Sequence, residues 1–229
     1  MPLVDSNQAS LWDGSATSLY RYQQDQLVFG YARPVMEYYL GNDVDGLIAA
    51  LTSKGLQQGQ RIALIGAGFG WVAEKFIAAG YGPAADGTAN GKVCAVDTST
   101  WIQNNKNANA QLTITNVDVN SSTGRRTVRQ QFGSNTATVD WIISEDVLPL
   151  LIGTGPTPGG NNEIVPFCQN LRTLANVGVA HWISCGVPLA SDPEQWAGDP
   201  RLNWKTLEQW KAWCTPDFVI ARNENNRVL

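Results

Sequence analysis

The chain has few of the features that mark metal-binding or disulfide-rich proteins. Its 229 residues include four cysteines and one histidine, and the cysteines form no C-x-x-C pair. No metal site is therefore expected, because structural zinc sites usually draw their ligands from closely spaced cysteines and histidines. Cys94 and Cys185 lie inside apolar runs, which favours free thiols in a reducing compartment over a disulfide scaffold.

Positive charge and long apolar runs are also scarce. The net charge is -4 and the pI about 5.0, so no general field attracts nucleic acid or an anionic membrane. The most basic segment, GRRTVR at residues 124–129, is typical of a solvated helix face. No apolar run approaches the roughly 20 residues that span a bilayer, and MPLVDSNQASLWDGS has no secretion-signal pattern. We expect a soluble, cytoplasmic protein without membrane partners or general DNA binding.

Short apolar runs alternate with amphipathic segments over most of the chain. This alternation predicts a doubly wound α/β fold with a mostly parallel sheet and helices on both faces. Residues 217–229 predict an antiparallel C-terminal hairpin that completes a seven-stranded sheet. Residues 1–42 lack a sustained period and predict an N-terminal arm or helical cap, which leaves residues 43–229 as one Rossmann-like domain. The five central strands are expected at residues 61–66, 92–99, 112–119, 139–148 and 179–186.

Three alternate glycines at positions 66, 68 and 70 separate the first predicted strand from a helix. Glycine permits a sharp turn and lets the backbone approach a ligand, whose polar groups then meet the N–H groups of the helix start. A dinucleotide fingerprint, G-x-G-x-x-G, requires its third glycine at position 71. That position is Trp71, so the spacing favours a different cofactor.

The segment ALIGAGFGWVAEKF, followed by VCAVDTST, resembles motif I and the second-strand acid of the class I, Rossmann-like S-adenosylmethionine-dependent methyltransferases. In that family the glycine loop runs under the methionine and ribose of the cofactor, and the acid binds the ribose hydroxyls. One departure is Leu64, where motif I often has an acid. The resemblance implies cofactor contacts from Gly66, Ala67, Gly68, Gly70, Asp97, Thr98, Asp118, Val119 and Ser144.

The third and fourth predicted strands supply further polar residues. Asp118 ends TNVDV, and the resemblance places an acid there against the adenine amino group. The fourth strand ends in IISED, where the family's residues border both cofactor and substrate. Glu145 and Asp146 are therefore predicted to take a proton from the methyl acceptor or to orient it. Capping of the next helix and contact with the cofactor alone are equally good explanations for these two acids.

The acceptor is predicted to be a small molecule, with protein or RNA left open. The chain has SEDV where amino-methylating DNA enzymes have N-P-P-Y or D-P-P-Y and cytosine C5 enzymes have Pro-Cys. The alternatives are an NAD-dependent oxidoreductase and a non-catalytic S-adenosylmethionine-binding subunit. His181 is expected at the amino end of the fifth strand as a structural histidine, and Tyr31 and Arg33 are expected in cap packing, with closure of the arm over the site as the alternative.

Overall fold

The computed structural model describes residues 44–68, 70–98, 112–145, 147–148, 151, 163–183 and 207–221. The predicted arm over residues 1–42, with Tyr31 and Arg33, lies outside these ranges. Asp146 and Cys185 lie outside them as well.

Strands and helices alternate along the described residues, as the hydrophobic pattern predicts. The strands are β1 (Ile62–Ile65), β2 (Val93–Asp97), β3 (Ile114–Asn116), β4 (Val139–Glu145), β5 (Ala175–Ile183) and β6 (Phe218–Ala221). Helix α1 covers residues 44–53, and the others are α2 (Trp71–Ala78), α3 (Ser122–Gln130), α4 (Ile164–Leu174) and α5 (Leu207–Cys214).

The six strands form one sheet in the order β3-β2-β1-β4-β5-β6, and every adjacent pair is parallel. The predicted parallel α/β fold is confirmed, but the prediction of seven strands with an antiparallel hairpin is wrong for the described residues. Phe218–Ala221, taken as the first arm of that hairpin, pairs in parallel with β5 instead. A crossover through α5 precedes it, which is how parallel neighbours are joined. The predicted second arm lies outside the described ranges.

Helices cover both faces of the sheet. The central strands β1, β2 and β4 are almost wholly buried, so their alternate side chains enter two different cores. One core holds Leu64, Ala95 and Ile143 against α1 and α2. The other holds Ile65 and Ile142 against α3, α4 and α5. This three-layer arrangement leaves the ends of the strands as the places where polar side chains can gather.

The basic segment at residues 124–129 lies on α3. Ser121 caps this helix, with its hydroxyl oxygen accepting a hydrogen bond from the Gly124 N–H at 2.9 Å. Arg125 donates to the carbonyl oxygens of Val119 and Asn120, and Arg129 donates to that of Thr173. Two of these arginines therefore tie α3 to neighbouring backbone, while Arg126 is exposed, as expected of a solvated helix face.

Candidate functional site

The predicted glycine turn joins β1 to α2. Gly66, Gly68 and Gly70 have φ angles of +72°, +52° and +80°, a region that costs other residues roughly 1–2 kcal/mol. A Cβ atom on Gly66 would lie 3.0 Å from the carbonyl oxygen of Glu145 and would overlap the Val147 side chain. Gly66 is thus required both by its backbone conformation and by the close approach of the chain after β4.

Several amides of the turn are hydrogen-bonded within the protein. The Ala67 N–H donates to the Val96 carbonyl at 3.0 Å, and the Gly70 N–H donates to the Ala67 carbonyl at 2.8 Å. The Gly68 N–H donates to Asp97 Oδ2 at 2.9 Å. These bonds fix the shape of the turn. Further donors for a ligand can come from the start of α2, where the N-cap Gly70 has no side chain to cap the helix.

The strand order places this turn at a topological switch point. The chain leaves β1 toward β2 and β3 on one side, and β4 begins the other half of the sheet. In open α/β sheets ligands bind in the crevice at such a point, outside the carboxyl ends of the strands. Asp97 ends β2 and Glu145 ends β4, so the two acids flank the turn.

Asp97 and Glu145 also belong to the same face of the sheet. Residues at positions i and i+2 of a strand have their side chains on the same face. Asp97 and Glu145 stand in this relation to Ala95 and Ile143, and these two apolar residues lie in the core against α1 and α2. Asp97 is only 6% exposed, whereas Glu145 is half-buried. The structure therefore brings together the glycine turn, Asp97 and Glu145 as one site, which we call the switch-point site.

Ser144 is placed differently from the prediction. It shares its face with Ile142, in the core against α3, α4 and α5, and its side chain is fully buried. Its hydroxyl forms a 2.7 Å hydrogen bond with Nδ1 of His181. The hydroxyl is engaged on the face opposite to Asp97 and Glu145, which leaves only the backbone of Ser144 beside the predicted cofactor.

The other predicted contacts lie near β2 and β3. Thr98 is exposed, and its carbonyl accepts a hydrogen bond from the side chain of Asn116 at 3.0 Å. Asp118 closes the turn after β3, because its Oδ1 accepts the Asn120 N–H at 2.9 Å. Val119 is buried. Asn116 was not identified from the sequence, although it ends β3 directly beside Asp97 in the register.

His181 does not lie where the sequence predicts. β5 begins at Ala175, so His181 is in its carboxyl-terminal half and pairs with Ser144 in the register. Its Nε2 lies 3.0 Å from Asp217 Oδ2, and Arg172 forms a bidentate pair with the same carboxylate, at 2.6 and 3.1 Å. The expected hydrogen-bonded histidine is present, but the amino-end position is wrong because the strand starts four residues before the predicted segment.

Two cysteines complete this second group, which we call the β5 polar cluster: Ser144, Cys168, Arg172, His181, Cys214 and Asp217. Cys168 Sγ lies 3.6 Å from His181 Nε2. The contact with Cys214, followed by burial, raises the pKa of the Cys168 thiol. Burial lowers the pKa of His181, but the hydrogen bonds to Asp217 and Cys168 outweigh it and raise that pKa to about 9.

The β5 polar cluster is not a hydrolase triad, although it joins a serine, a histidine and an aspartate. Ser144 and His181 are both 0% exposed, so the hydroxyl cannot reach a substrate carbonyl. A nucleophile must lie against both its base and the reacting atom. The cluster is part of the protein interior, so its role has to be one that needs no contact with a substrate.

Comparison with known proteins finds no family model and no curated protein that matches the chain. In the part of the chain that the structure describes, no helix is long and apolar enough to cross a membrane. Function is therefore inferred from the geometry of the switch-point site.

Proposed function

We propose that the protein is an S-adenosylmethionine-dependent methyltransferase that binds its cofactor at the switch-point site. The observation that supports this most is the hydrogen bond from the Gly68 N–H to the Asp97 carboxylate. It holds an acid from β2 directly against the glycine turn. The resemblance of the sequence to the methyltransferases assigns the ribose to this pair.

The residues present fit a nucleoside cofactor. A carboxylate has about four acceptor positions, so the bond to Gly68 is compatible with two vicinal ribose hydroxyls at Asp97. Asn116, beside Asp97 at the end of β3, adds a neutral polar side chain at the same edge. The cofactor, when bound, supplies an activated methyl group on a sulfonium.

Glu145 is the residue we propose for the methyl acceptor. It is half-buried at the end of β4, beside Gly66 and on the same face of the sheet as Asp97. A carboxylate there can orient an amine or hydroxyl, or take its proton, and most of the remaining work is alignment. Asp146, the other predicted acid, lies outside the described residues and keeps this role as a prediction.

We propose a small molecule as the acceptor. The net charge of -4 gives no general attraction to the phosphates of nucleic acid. The basic segment on α3 is partly used internally, because Arg125 and Arg129 bond to backbone carbonyls.

A second candidate is an NAD-dependent oxidoreductase, and one observation favours it. The order β3-β2-β1-β4-β5-β6 is that of dinucleotide-binding domains, in which an acid after β2 also binds ribose. Trp71 weighs against it, because this fold places a glycine there for close packing between helix and strand. Trp71 is half-buried and packs beside the core under α2.

The proposal is tested by transfer of a tritiated methyl group from S-adenosylmethionine to fractionated cell extract. We expect label in a small-molecule fraction, and the Glu145→Gln protein should transfer it at least about 10²-fold more slowly if Glu145 acts as a base. Label in protein or RNA would correct the acceptor class. Binding of NAD without binding of S-adenosylmethionine would replace the proposal with the second candidate.

A further inference from the structure

Three buried side chains of the β5 polar cluster meet around one point, although they come from different elements. Cys168 lies on α4, His181 on β5 and Cys214 at the end of α5. Their ligand atoms all lie within 4.8 Å of one another, and none of the three residues is more than 1% exposed. Two thiols and an imidazole are the ligand types that zinc prefers.

The carboxylate of Asp217 lies next to this group and is a candidate for the fourth ligand. Its Oδ2 lies 3.0 Å from His181 Nε2, and its side chain is 3% exposed. A tetrahedral zinc ion with bonds of about 2.3 Å to sulfur and about 2.0 Å to nitrogen or oxygen separates a sulfur from a nitrogen by about 3.5 Å and a nitrogen from an oxygen by about 3.3 Å. The distances from Nε2, 3.6 Å to Cys168 Sγ and 3.0 Å to Asp217 Oδ2, are close to these values.

We propose that Cys168, His181, Cys214 and Asp217 bind a structural zinc ion. Four protein ligands leave no open position for a substrate, which is the arrangement of structural rather than catalytic zinc sites. The inference is independent of the proposed methyl transfer, because these atoms lie on the opposite face of the sheet from Asp97 and Glu145.

The residues around the four ligands suit this role. Ligating histidines usually donate their second ring N–H to an oxygen, which fixes the orientation of the ring. Nδ1 of His181 has such a partner in the Ser144 hydroxyl, 2.7 Å away. Arg172 holds the ligating carboxylate of Asp217 through two hydrogen bonds, as ligating carboxylates commonly require.

The charges around the ion also balance. Two thiolates and one carboxylate carry three negative charges, while zinc and the guanidinium of Arg172 carry three positive ones. A buried site with paired charges avoids most of the penalty of an isolated ion. Zinc binds thiolates and an unprotonated imidazole nitrogen, so protons leave the ligands as the ion enters.

The ion would join elements at one edge of the sheet. Its ligands lie on α4, β5, α5 and the turn before β6. The ion would therefore hold α5 and β6 against β5. Metal binding that accompanies folding contributes directly to stability. Removal of zinc should therefore loosen β6 and α5 more than β1 and β2.

The test uses the full chain, stripped of metal with a chelator and then titrated with Zn²⁺ or Co²⁺. We expect one equivalent to bind, a rise in melting temperature, and a Co²⁺ spectrum with a thiolate charge-transfer band and tetrahedral d–d bands. A wild-type protein that binds no Co²⁺, or binds it without the thiolate band, would overturn the proposal. So would a disulfide between Cys168 and Cys214 in protein prepared under reducing conditions.

Variants assign the ligands. Cys168→Ser and Cys214→Ser should each lower the Co²⁺ affinity at least about tenfold and weaken the thiolate band. Ser144→Ala, which removes the partner of a ligand, should weaken binding roughly 10- to 100-fold with the band retained. The matched control is Cys94→Ala, which removes a buried thiol of β2 outside the cluster and should leave both readouts unchanged. Loss of the band in the control, or its full retention in both cluster variants, would contradict the assignment.

Discussion

The two polar sites of the protein are built in opposite ways. The switch-point site takes its glycines from one short segment after β1 and its acids from the ends of β2 and β4, the strands on either side of β1. The β5 polar cluster takes its members from two helices, two strands and a turn, and most of it is closed to solvent. The first site follows from local sequence and the order of strands, whereas the second exists only once α4 and α5 have packed against the sheet.

Substitution of Asp217 should have the largest effect on stability. Asp217→Ala leaves the guanidinium of Arg172 and the imidazole of His181 without their shared carboxylate. Removing one partner of a buried pair typically lowers the free energy of unfolding by about 3–5 kcal/mol. Urea denaturation followed by circular dichroism measures this change.

The matched control for Asp217 is an exposed ion pair on α5. Glu208 and Lys211 lie 2.9 Å apart with side chains 80% and 48% exposed, so Glu208→Ala should change the free energy of unfolding by less than about 1 kcal/mol. Equal effects of the two substitutions would show that the β5 polar cluster does not hold the last crossover in place.

The glycine turn should be the next most sensitive place. Gly66→Ala combines a φ of +72° with the overlap of a Cβ atom and Val147. Left-handed strain and crowding together should lower the free energy of unfolding by about 2–4 kcal/mol. Thermal denaturation of the purified variant checks this value.

Gly46→Ala is the control for the turn. Gly46 is exposed in α1, and an added Cβ atom would meet nothing within 4 Å. Alanine there should stabilise the protein by roughly 0.4–1 kcal/mol. A Gly66 variant as stable as the wild type would mean that the turn differs from the one described.

Asp97 should matter more for binding than for folding. Asp97→Asn replaces a charged acceptor of the Gly68 N–H with a neutral one, and hydrogen bonds to charged groups are worth about 1.5–3 kcal/mol. We expect the affinity for S-adenosylmethionine to fall roughly 10- to 100-fold, measured by isothermal titration calorimetry. Asp140→Asn is the control, because Asp140 also accepts a backbone N–H, from Arg61 at 2.8 Å, but at the amino end of the sheet. An equal loss in both variants would argue against a specific role for Asp97.

The smallest effect is expected at Asp118. Asp118→Ala removes the acceptor of the Asn120 N–H and should lower the free energy of unfolding by about 1 kcal/mol. Asp118→Asn keeps an acceptor and should retain most of that stability. If Asp118 also meets the adenine, the alanine variant should bind S-adenosylmethionine up to about tenfold more weakly, whereas unchanged affinity would confine Asp118 to the turn.

The sequence predicts the sheet well because each buried strand is a continuous apolar run between polar segments. The positions of β1 to β4, the glycine turn and the acids Asp97 and Glu145 all follow from that pattern. Phe218–Ala221 was assigned to an antiparallel hairpin because a strand followed by a polar turn gives no sign of which neighbour it will pair with. Its parallel pairing with β5 is decided by the crossover through α5.

The β5 polar cluster could not be predicted from spacing. Cys168, His181 and Cys214 are far apart in the chain, and no local motif joins them. Ser144 was assigned to the cofactor from its place in a motif, yet a strand alternates its side chains, and a position one residue earlier than Glu145 points to the other core. Strand periodicity alone would have separated Ser144 from Asp97 and Glu145.

The most direct test of the proposed function is calorimetric titration of the wild-type protein with S-adenosylhomocysteine and, separately, with NAD. We expect one equivalent of S-adenosylhomocysteine to bind, with little or no heat from NAD. Tight binding of NAD, or no binding of S-adenosylhomocysteine by a folded protein, would contradict a methyltransferase site at the glycine turn.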